Sequence, residues 1–264
     1  MQAIVLHGKN DLRFDSEYPK PTPKAGEVLL KLTYSSICQT DIEMWQHGMF
    51  GSGDRPARVL GHEAAGIVVE LGEGANVAGI EVGTRAAVEN VRTCGTCFFC
   101  RKGTSQLCEN GRNFGFSDDG GLAEFGVWPA SLCIPLPDNM TNEEAPLAEP
   151  TSVAVHAVEN ANVVVGETAA VIGCGVVGLC TLQVLKAAGL KVIAIDPREQ
   201  SLKIARELGA DEVLNPNEVD AGELLPGLTN GYGPDVIIET AGAPGTGMDA
   251  ANWVRKGGRV VIVG

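Results

Sequence analysis

Aromatic and basic residues are scarce in this chain of 264 residues. Phe, Tyr and Trp together make up 5% of it, and 20 Lys and Arg stand against 33 Asp and Glu, which gives a formal net charge of −13. A nucleic-acid-binding protein needs a basic face to displace counterions from phosphates, and anionic membrane surfaces attract basic segments in the same way. We therefore expect no nucleic acid and no membrane among the partners of this protein.

Long apolar runs and a basic leader segment are lacking as well. The N-terminal sequence MQAIVLHGKNDLRF contains no basic stretch followed by a long apolar one, so we expect no signal peptide. The longest uncharged stretch, residues 168–185, includes three glycines and polar Thr and Gln residues, which is not typical of a membrane span. These absences predict a cytoplasmic protein.

The two halves of the chain differ in their hydrophobic patterns. Residues 1 to about 140 contain short apolar runs separated by Gly and Pro, which is typical of a barrel-like or sandwich β domain. From about residue 150 onward, strands alternate with helices, which predicts a parallel sheet. We therefore predict a β domain over 1–150 and an α/β domain over 151–264. Its strands are predicted at 169–172, 191–195, 212–215, 235–239 and 259–263, and its helices at 176–188 and 198–208.

A glycine-rich motif opens the second half. The apolar residues 169–172 lead into Gly173-Cys-Gly175-Val-Val177-Gly178, and a helical pattern follows at once. In this strand–turn–helix context the first glycine makes the turn, the second lets the backbone approach a pyrophosphate, and the third allows close helix packing. The helix N-terminus then offers amide donors to the phosphates. The motif predicts a dinucleotide site that includes Val177 beside the three glycines.

The end of the following strand predicts which dinucleotide binds. Asp196 lies 18 residues beyond Gly178. A carboxylate at this place can accept hydrogen bonds from the adenosine ribose and would repel a 2′-phosphate, which favours NAD over NADP. Arg198 is an open point, because an arginine near this position can bind that phosphate.

A short segment with four cysteines predicts a metal site. Its spacing is C-x2-C-x2-C-x7-C, which suits tetrahedral zinc with no open position, a structural site. Disulfides are the alternative, but cytosolic thiols stay reduced. An iron–sulfur cluster is another, although the chain has no second cluster motif. The four predicted ligands are Cys94, Cys97, Cys100 and Cys108.

A further cysteine and a histidine, together with the motifs above, resemble a known protein family. Cys38 begins the segment Cys-Gln-Thr-Asp, and His62 follows 24 residues later in Gly-His-Glu. Taken separately, a cysteine is commonly buried and inert, and a lone histidine is commonly structural. Followed by the four-cysteine segment and the glycine motif in this order, they resemble the zinc-dependent medium-chain alcohol and polyol dehydrogenases. Segments 38–48 and 148–153 most resemble the sorbitol dehydrogenase branch of that family.

The resemblance implies an α/β plus β fold with an open metal site. The family joins a GroES-like β domain to a Rossmann dinucleotide-binding domain, with the active site between them. Cys38 and His62 are implied to hold a catalytic zinc, with Glu63, Glu149 or both in turn as the carboxylate ligand. Three protein ligands leave a position for water or an alcohol oxygen. Glu63 could equally orient a ligand without binding the metal, so the choice between the two carboxylates stays open.

The resemblance also implies the reaction and its cofactors, which are one catalytic zinc, one structural zinc and NAD. Zinc acts as a Lewis acid on a secondary alcohol of the polyol type, and the hydride passes to NAD. Thr40 is implied as the first hydroxyl of the proton path, with Asp41 supporting the zinc ligands. Glu43 stands where many relatives have histidine, and it receives no role. Candidates for lining the substrate pocket are Trp45, Phe50, Phe114 and Phe116.

Other functions remain open, and the C-terminus raises one of them. L-threonine 3-dehydrogenases and simple alcohol dehydrogenases share the implied chemistry. A doubly wound dinucleotide fold has six strands, whereas we count five, so we expect a C-terminally truncated Rossmann domain from a fragment or a shortened member. A non-catalytic zinc- and nucleotide-binding chain is therefore an alternative from another class. For the full-length form, the resemblance implies a homo-oligomer.

Overall fold

The structure, a computed structural model, describes residues 1–48, 57–77 and 79–264, so the pocket candidate Phe50 lies outside the described residues. It divides into two units, Met1–Glu149 and Pro150–Gly264. The division falls one residue before the boundary that the sequence predicts. In the described ranges, no helix combines the length and the apolar character that a membrane crossing requires.

The first unit is built from antiparallel strands. Its main sheet has the strand order β10-β6-β5-β3-β9, a smaller sheet has the order β2-β1-β4, and β7 pairs with β8. In the main sheet Trp128 is fully buried, and its ring lies where a side chain on Gly126 would stand. The elements are β1 (Ala3–Gly8), β2 (Asp11–Asp15), β3 (Glu27–Ser36), α1 (Gln39–His47), β4 (Arg58–Val59), β5 (Glu63–Leu71), β6 (Arg85–Val88), β7 (Val91–Arg92), α2 (Phe98–Lys102), β8 (Arg112–Asn113), β9 (Phe125–Pro129) and β10 (Cys133–Pro135).

The second unit is a doubly wound parallel sheet. Residues 150–264, all of which the structure describes, form five parallel strands in the order β13-β12-β11-β14-β15. The chain order along the sheet is thus 3-2-1-4-5, and it reverses between β11 and β14. The elements are α3 (Ala148–Asn160, which begins in the first unit), β11 (Thr168–Ile172), α4 (Val176–Ala187), β12 (Lys191–Ile195), α5 (Glu199–Glu207), β13 (Glu212–Leu214), α6 (Ala221–Leu228), β14 (Val236–Glu239), α7 (Thr246–Trp253) and β15 (Arg259–Ile262).

Both faces of this parallel sheet are covered by helices. In β11, Ala169 and Val171 pack into one core cluster, whereas Ala170 and Ile172 pack into another on the opposite face. Strands buried on both faces have continuous apolar sequences, as parallel sheets in α/β domains do. The predicted strands and helices of this half are confirmed, with ends that differ by at most one residue.

Two helices of this unit carry no clear signal in the sequence. Helix α6 contains Gly222, Pro226 and Gly227, which are poor helix formers. It forms because Asp220 caps it, accepting a hydrogen bond from the amide of Glu223 at 3.1 Å, and because its buried residues pack on the sheet. Helix α7 is equally short and has one fully buried residue. Tertiary packing, rather than local propensity, produces both helices.

Candidate functional site

The register of two strands brings a thiol, an imidazole and a carboxylate together in the first unit. Strands β3 and β5 pair so that Ser36 stands opposite Glu63. Cys38 follows the end of β3 as the N-cap of α1, and His62 immediately precedes β5. As a result, one ligand atom from each of Cys38, His62 and Glu63 lies within 4.8 Å of the others. The pairing of β3 with β5 thus brings Cys38 and His62 together, although they are 24 residues apart in the sequence.

Negative groups surround the buried imidazole. The carboxylate of Asp41 accepts hydrogen bonds from the amides of Cys38 at 3.0 Å and Gly61 at 3.3 Å, and its Oδ1 lies 3.5 Å from Nδ1 of His62. Burial lowers the pKa of His62, but the interactions with Asp41 and Cys38 outweigh it and raise that pKa to about 10. The site therefore favours a positive charge, and Asp41 at Nδ1 leaves Nε2 available as a metal ligand.

The two candidate carboxylates occupy different surroundings. Glu63 is 4% exposed, and one of its oxygens accepts a hydrogen bond from the hydroxyl of Ser36. Glu149 is half-buried at the start of α3, outside the cluster of three, and accepts a hydrogen bond from Nδ2 of Asn90 at 3.2 Å. Burial raises the pKa of Glu149, and the charge of Glu63 raises it further. Of the two, only Glu63 lies with the thiol and the imidazole.

The backbone behind the cluster is packed through glycines. Gly61 has a φ of +90°, and a Cβ on Gly120 would lie 2.1 Å from the carbonyl oxygen of Gly61. A Cβ on Gly115 would lie 2.7 Å from the same oxygen. Any larger residue at Gly115 or Gly120 would therefore push the backbone that carries His62. These glycines could not be predicted as part of the site, because nothing in the neighbouring sequence distinguishes them from turn glycines.

The remaining residues predicted for this site lie along α1 and beside the imidazole. Thr40 Oγ1 lies 3.6 Å from Cys38 Sγ, and Glu43 interacts with His47 at 3.5 Å. The ring of Phe116 lies 4.6 Å from the ring of His62. Phe114 instead packs on Trp128 in the core, and Trp45 packs against a small buried cluster. Phe116 is thus the one described aromatic candidate that the structure places against the imidazole.

The four-cysteine segment forms a second cluster, separate from the first. All four sulfurs lie within 4.8 Å of one another, and all eight cysteines of the chain are free. Sγ of Cys94 lies 4.0 Å from Sγ of Cys100, and Sγ of Cys97 lies 3.9 Å from Sγ of Cys108. Zinc–sulfur bonds of about 2.3 Å in a tetrahedron place sulfurs about 3.8 Å apart, so this cluster fits a zinc ion.

Backbone amides direct hydrogen bonds to these sulfurs. The amide of Cys97 donates to Sγ of Cys94, and the amide of Cys94 donates to Sγ of Cys108, both at 3.3 Å. Hydrogen bonds from Thr96, backbone and hydroxyl, together with the amide of Cys97 lower the pKa of Cys94 to about 5. Amide donors stabilise thiolates, which are the form that binds metal. The donor set therefore fits a four-thiolate cation site.

In the second unit, the motif Gly173-x-Gly175-x-x-Gly178 forms the glycine fingerprint. A different structural feature explains each of its three glycines. Gly173 has a φ of +91°, and a Cβ on it would meet Ala241 at 2.7 Å. A Cβ on Gly178 would lie 1.9 Å from the carbonyl oxygen of Gly173. Gly175, the N-cap of α4, has an ordinary φ of −76°, and a Cβ there would meet no atom within 4 Å. Packing explains Gly173 and Gly178, whereas Gly175 faces open space that suits an approaching ligand.

Asp196 at the end of β12 is engaged in hydrogen bonds. Its carboxylate is 2% exposed and accepts the amide of Cys174 at 2.7 Å and the side chain of Arg198 at 2.9 and 3.0 Å. Burial raises the pKa of Asp196, but these hydrogen bonds outweigh it and hold that pKa below its usual range. Arg198 therefore lies across the carboxylate that the sequence predicts for the ribose.

The comparisons with known families match both units. The alcohol dehydrogenase GroES-like domain matches residues 24–138, and the zinc-binding dehydrogenase family matches residues 176–264. The GroES-like plus Rossmann fold is thereby confirmed.

Individual relatives include both amino-acid and polyol dehydrogenases. L-threonine 3-dehydrogenase of Pyrococcus furiosus is 39% identical over 94% of this chain and 70% of its own length. Erythritol/L-threitol dehydrogenase of Mycolicibacterium smegmatis is 37% identical over 100% of this chain and 76% of its own. Sorbitol dehydrogenase of Bacillus subtilis is 34% identical over 100% and 75%. The chain thus spans about three quarters of the length of these relatives.

A solved structure that carries a nucleotide agrees with the fold. A zinc-binding dehydrogenase of Sinorhizobium meliloti 1021, bound to NADP, superposes with a TM-score of 0.93 at 32% identity, covering 100% of this chain and 76% of that one.

Proposed function

This chain belongs to the zinc-binding alcohol dehydrogenases that carry a GroES-like domain, and from that membership we propose that it oxidises the secondary hydroxyl of a polyol with NAD as the hydride acceptor. The observation that carries the proposal is the buried cluster of Cys38, His62 and Glu63, a donor set that suits a zinc ion with one open position. The same chain contains the glycine fingerprint of a dinucleotide site, and the relatives include an erythritol/L-threitol dehydrogenase and a sorbitol dehydrogenase.

The chain's own residues have distinct roles in this proposal. Cys38, His62 and Glu63 hold the catalytic zinc, and the carboxylate of Asp41, 3.5 Å from Nδ1, supports the imidazole from behind. When bound, zinc supplies a Lewis acid for the alcohol oxygen and nicotinamide supplies the hydride acceptor. The hydroxyl of Thr40, beside Cys38, is the first member of the proton path: it takes up the proton that the alcohol loses and passes its own proton on toward water.

The other residues of the proposal support binding rather than chemistry. Glu149, which stands apart from the cluster, serves as the alternative carboxylate ligand. The four cysteines hold a structural zinc, and thiolates of this kind need a reducing compartment such as the cytoplasm. The glycine fingerprint, Val177 and Asp196 bind the dinucleotide. A homo-oligomer stays a prediction from the family.

A second candidate substrate is L-threonine, because the P. furiosus relative, at 39% identity, is a threonine dehydrogenase. Steady-state assays of the zinc-loaded protein with NAD decide between them, using erythritol, threitol, sorbitol, xylitol, L-threonine and ethanol in parallel. We expect the absorbance of reduced nicotinamide to rise at least about tenfold faster with one of the polyols than with threonine, a preference of about 1.4 kcal/mol.

The same assay separates the alternatives. Faster turnover of threonine would replace the polyol by the second candidate. Two zinc ions and bound NAD, without turnover of any alcohol, would make the chain a non-catalytic binding protein and contradict the proposal.

Cofactor preference gives a further prediction. Arg198 covers Asp196, so removing the guanidinium frees the carboxylate for the ribose hydroxyls and also removes the cation beside a 2′-phosphate. We expect Arg198→Ala to raise the ratio of kcat/KM for NAD over NADP by about tenfold, the scale of one charge-assisted hydrogen bond. Kinetics with both cofactors measure that ratio.

A matched arginine provides the control for this prediction. Arg206 pairs with Glu199 at 2.8 Å on the exposed side of α5. Arg206→Ala should leave the cofactor ratio unchanged. An unchanged ratio in Arg198→Ala as well would show that Arg198 takes no part in cofactor choice.

A further inference from the structure

A buried carboxylate lies at the carboxyl end of β14, outside the residues considered so far. Glu239 is 1% exposed. Its Oε1 accepts three hydrogen bonds, two from the loop that follows, through the amides of Ala241 at 2.8 Å and Gly242 at 3.0 Å, and one from the hydroxyl of Thr246, the first residue of α7, at 2.9 Å. Within residues 150–264, no lysine or arginine forms an ion pair with it. Three neutral donors therefore hold this carboxyl group in place, and in return its Oε1 fixes the loop.

The fixed loop is in contact with the glycine fingerprint. The residue after Glu239, Thr240, donates its hydroxyl to the carbonyl oxygen of Gly173 at 2.8 Å, and its amide donates to the carbonyl of Ile172, also at 2.8 Å. Gly173 packs closely on Ala241, because a Cβ on Gly173 would lie 2.7 Å from the amide nitrogen of Ala241. The backbone of the first fingerprint glycine thus rests on the loop that Glu239 holds.

The contact between Gly173 and the loop after β14 lies at the edge of the sheet where a ligand is expected. Strands β11 and β14 are neighbours at the point where the strand order reverses. In open α/β sheets, ligands bind beyond the carboxyl ends of the strands at this reversal. Glu239 and Gly173 stand at the ends of these two strands.

We propose that Glu239 is a positioning residue for dinucleotide binding, acting through the loop at Thr240 and Ala241 on the fingerprint glycine Gly173. The inference rests on the proposed function in one respect, that the fingerprint binds NAD. Preorganised amides bind a phosphate more tightly than amides that must first be ordered. Loss of the Glu239 carboxylate therefore weakens NAD binding and leaves the alcohol site in the other unit unchanged.

The test compares three variants by direct titration with NAD in the absence of alcohol, together with kinetics and zinc analysis. Glu239→Ala removes all three hydrogen bonds, and we expect the Kd and KM for NAD to rise at least about tenfold, as loss of several buried hydrogen bonds implies. Glu239→Gln keeps an oxygen acceptor and should rescue the Kd to within about threefold. The kcat at saturating NAD, the KM for alcohol and the zinc content should stay unchanged in both.

Thr240→Val tests the link without disturbing the carboxylate, and it keeps the proposal falsifiable if Glu239→Ala fails to fold. It removes the hydroxyl that bonds Gly173, so we expect a higher Kd for NAD. Glu207→Ala, an exposed carboxylate of α5, is the control and should bind NAD as the unaltered protein does.

The outcomes distinguish this inference from the proposed function. If the unaltered chain binds NAD but Thr240→Val or a folded Glu239→Ala binds it equally well, the inference is wrong and the proposed function stands. A Glu239→Gln variant as weak as Glu239→Ala also overturns it. If the unaltered chain itself does not bind NAD, the proposed function fails.

Discussion

Cys38→Ala should lower kcat/KM for the alcohol at least about a thousandfold, which corresponds to about 4 kcal/mol of transition-state stabilisation. The reason is the size of the donor set, because Cys38 is one of three groups within 4.8 Å of one another. Without the thiolate, only His62 and Glu63 remain, and an open zinc site uses three protein ligands. Metal analysis should show one zinc per chain where the unaltered protein holds two, alongside the loss of NAD reduction.

Two other cysteines control for this loss. Cys133 is buried in the core of the same unit, whereas Cys38 is only half-buried, so Cys133→Ala removes a more deeply buried thiol without touching the cluster. It should keep both zinc ions and a kcat/KM within about threefold of the unaltered protein. Cys97→Ala should remove the zinc of the four-cysteine cluster and leave the other one. A Cys38→Ala protein that keeps two zinc ions or activity within tenfold would contradict the assignment.

Features that depend on spacing along the chain could be predicted from the sequence. The four cysteines lie within fifteen residues, so a short loop must bring them together whatever surrounds it. The glycine fingerprint is equally local, because strand, turn and helix follow one another. The same holds for the second unit, where apolar runs buried on both faces predict a parallel sheet.

Features that depend on strand register or on tertiary packing could not be predicted from the sequence. The sequence brings Cys38 and His62 together only through a family resemblance, whereas the structure does so through the pairing of β3 with β5. Asn90 donates a hydrogen bond to Glu149, but no motif in the sequence around Asn90 predicts this contact. The hydrogen bonds between Arg198 and Asp196 could not be predicted either. The two residues are only two positions apart in the sequence, and at that spacing the Arg198 side chain could equally extend into water.

Alanine at either of two fingerprint glycines should weaken NAD binding, but only one of the two substitutions should also destabilise the fold. Gly178→Ala places a Cβ 1.9 Å from the carbonyl oxygen of Gly173, so the helix must move away from the turn. We expect it to lower the free energy of unfolding by about 2–3 kcal/mol, the range of an overpacked core, and to abolish NAD binding. Chemical denaturation and calorimetric titration with NAD measure the two effects.

Gly175→Ala should separate those effects. No atom lies within 4 Å of a Cβ at Gly175 and its φ of −76° suits any residue, so the variant should fold with a loss below about 1 kcal/mol, the difference between glycine and alanine at an N-cap. Its methyl group nevertheless occupies the space through which a pyrophosphate reaches the amides at the start of α4. We expect the Kd for NAD to rise at least about a hundredfold, equivalent to about 2.7 kcal/mol.

Gly227→Ala is the matched control, because it adds the same methyl group to equally open space in α6. Alanine favours a helix interior over glycine by up to about 1 kcal/mol, so this variant should be as stable as the unaltered protein and bind NAD equally well. The comparison isolates the position of the methyl group from its size. If Gly175→Ala binds NAD within threefold of Gly227→Ala, the open space before α4 is not where the pyrophosphate lies. Gly173 and Gly178 would then have only a packing role, and the dinucleotide would have to bind elsewhere on the sheet.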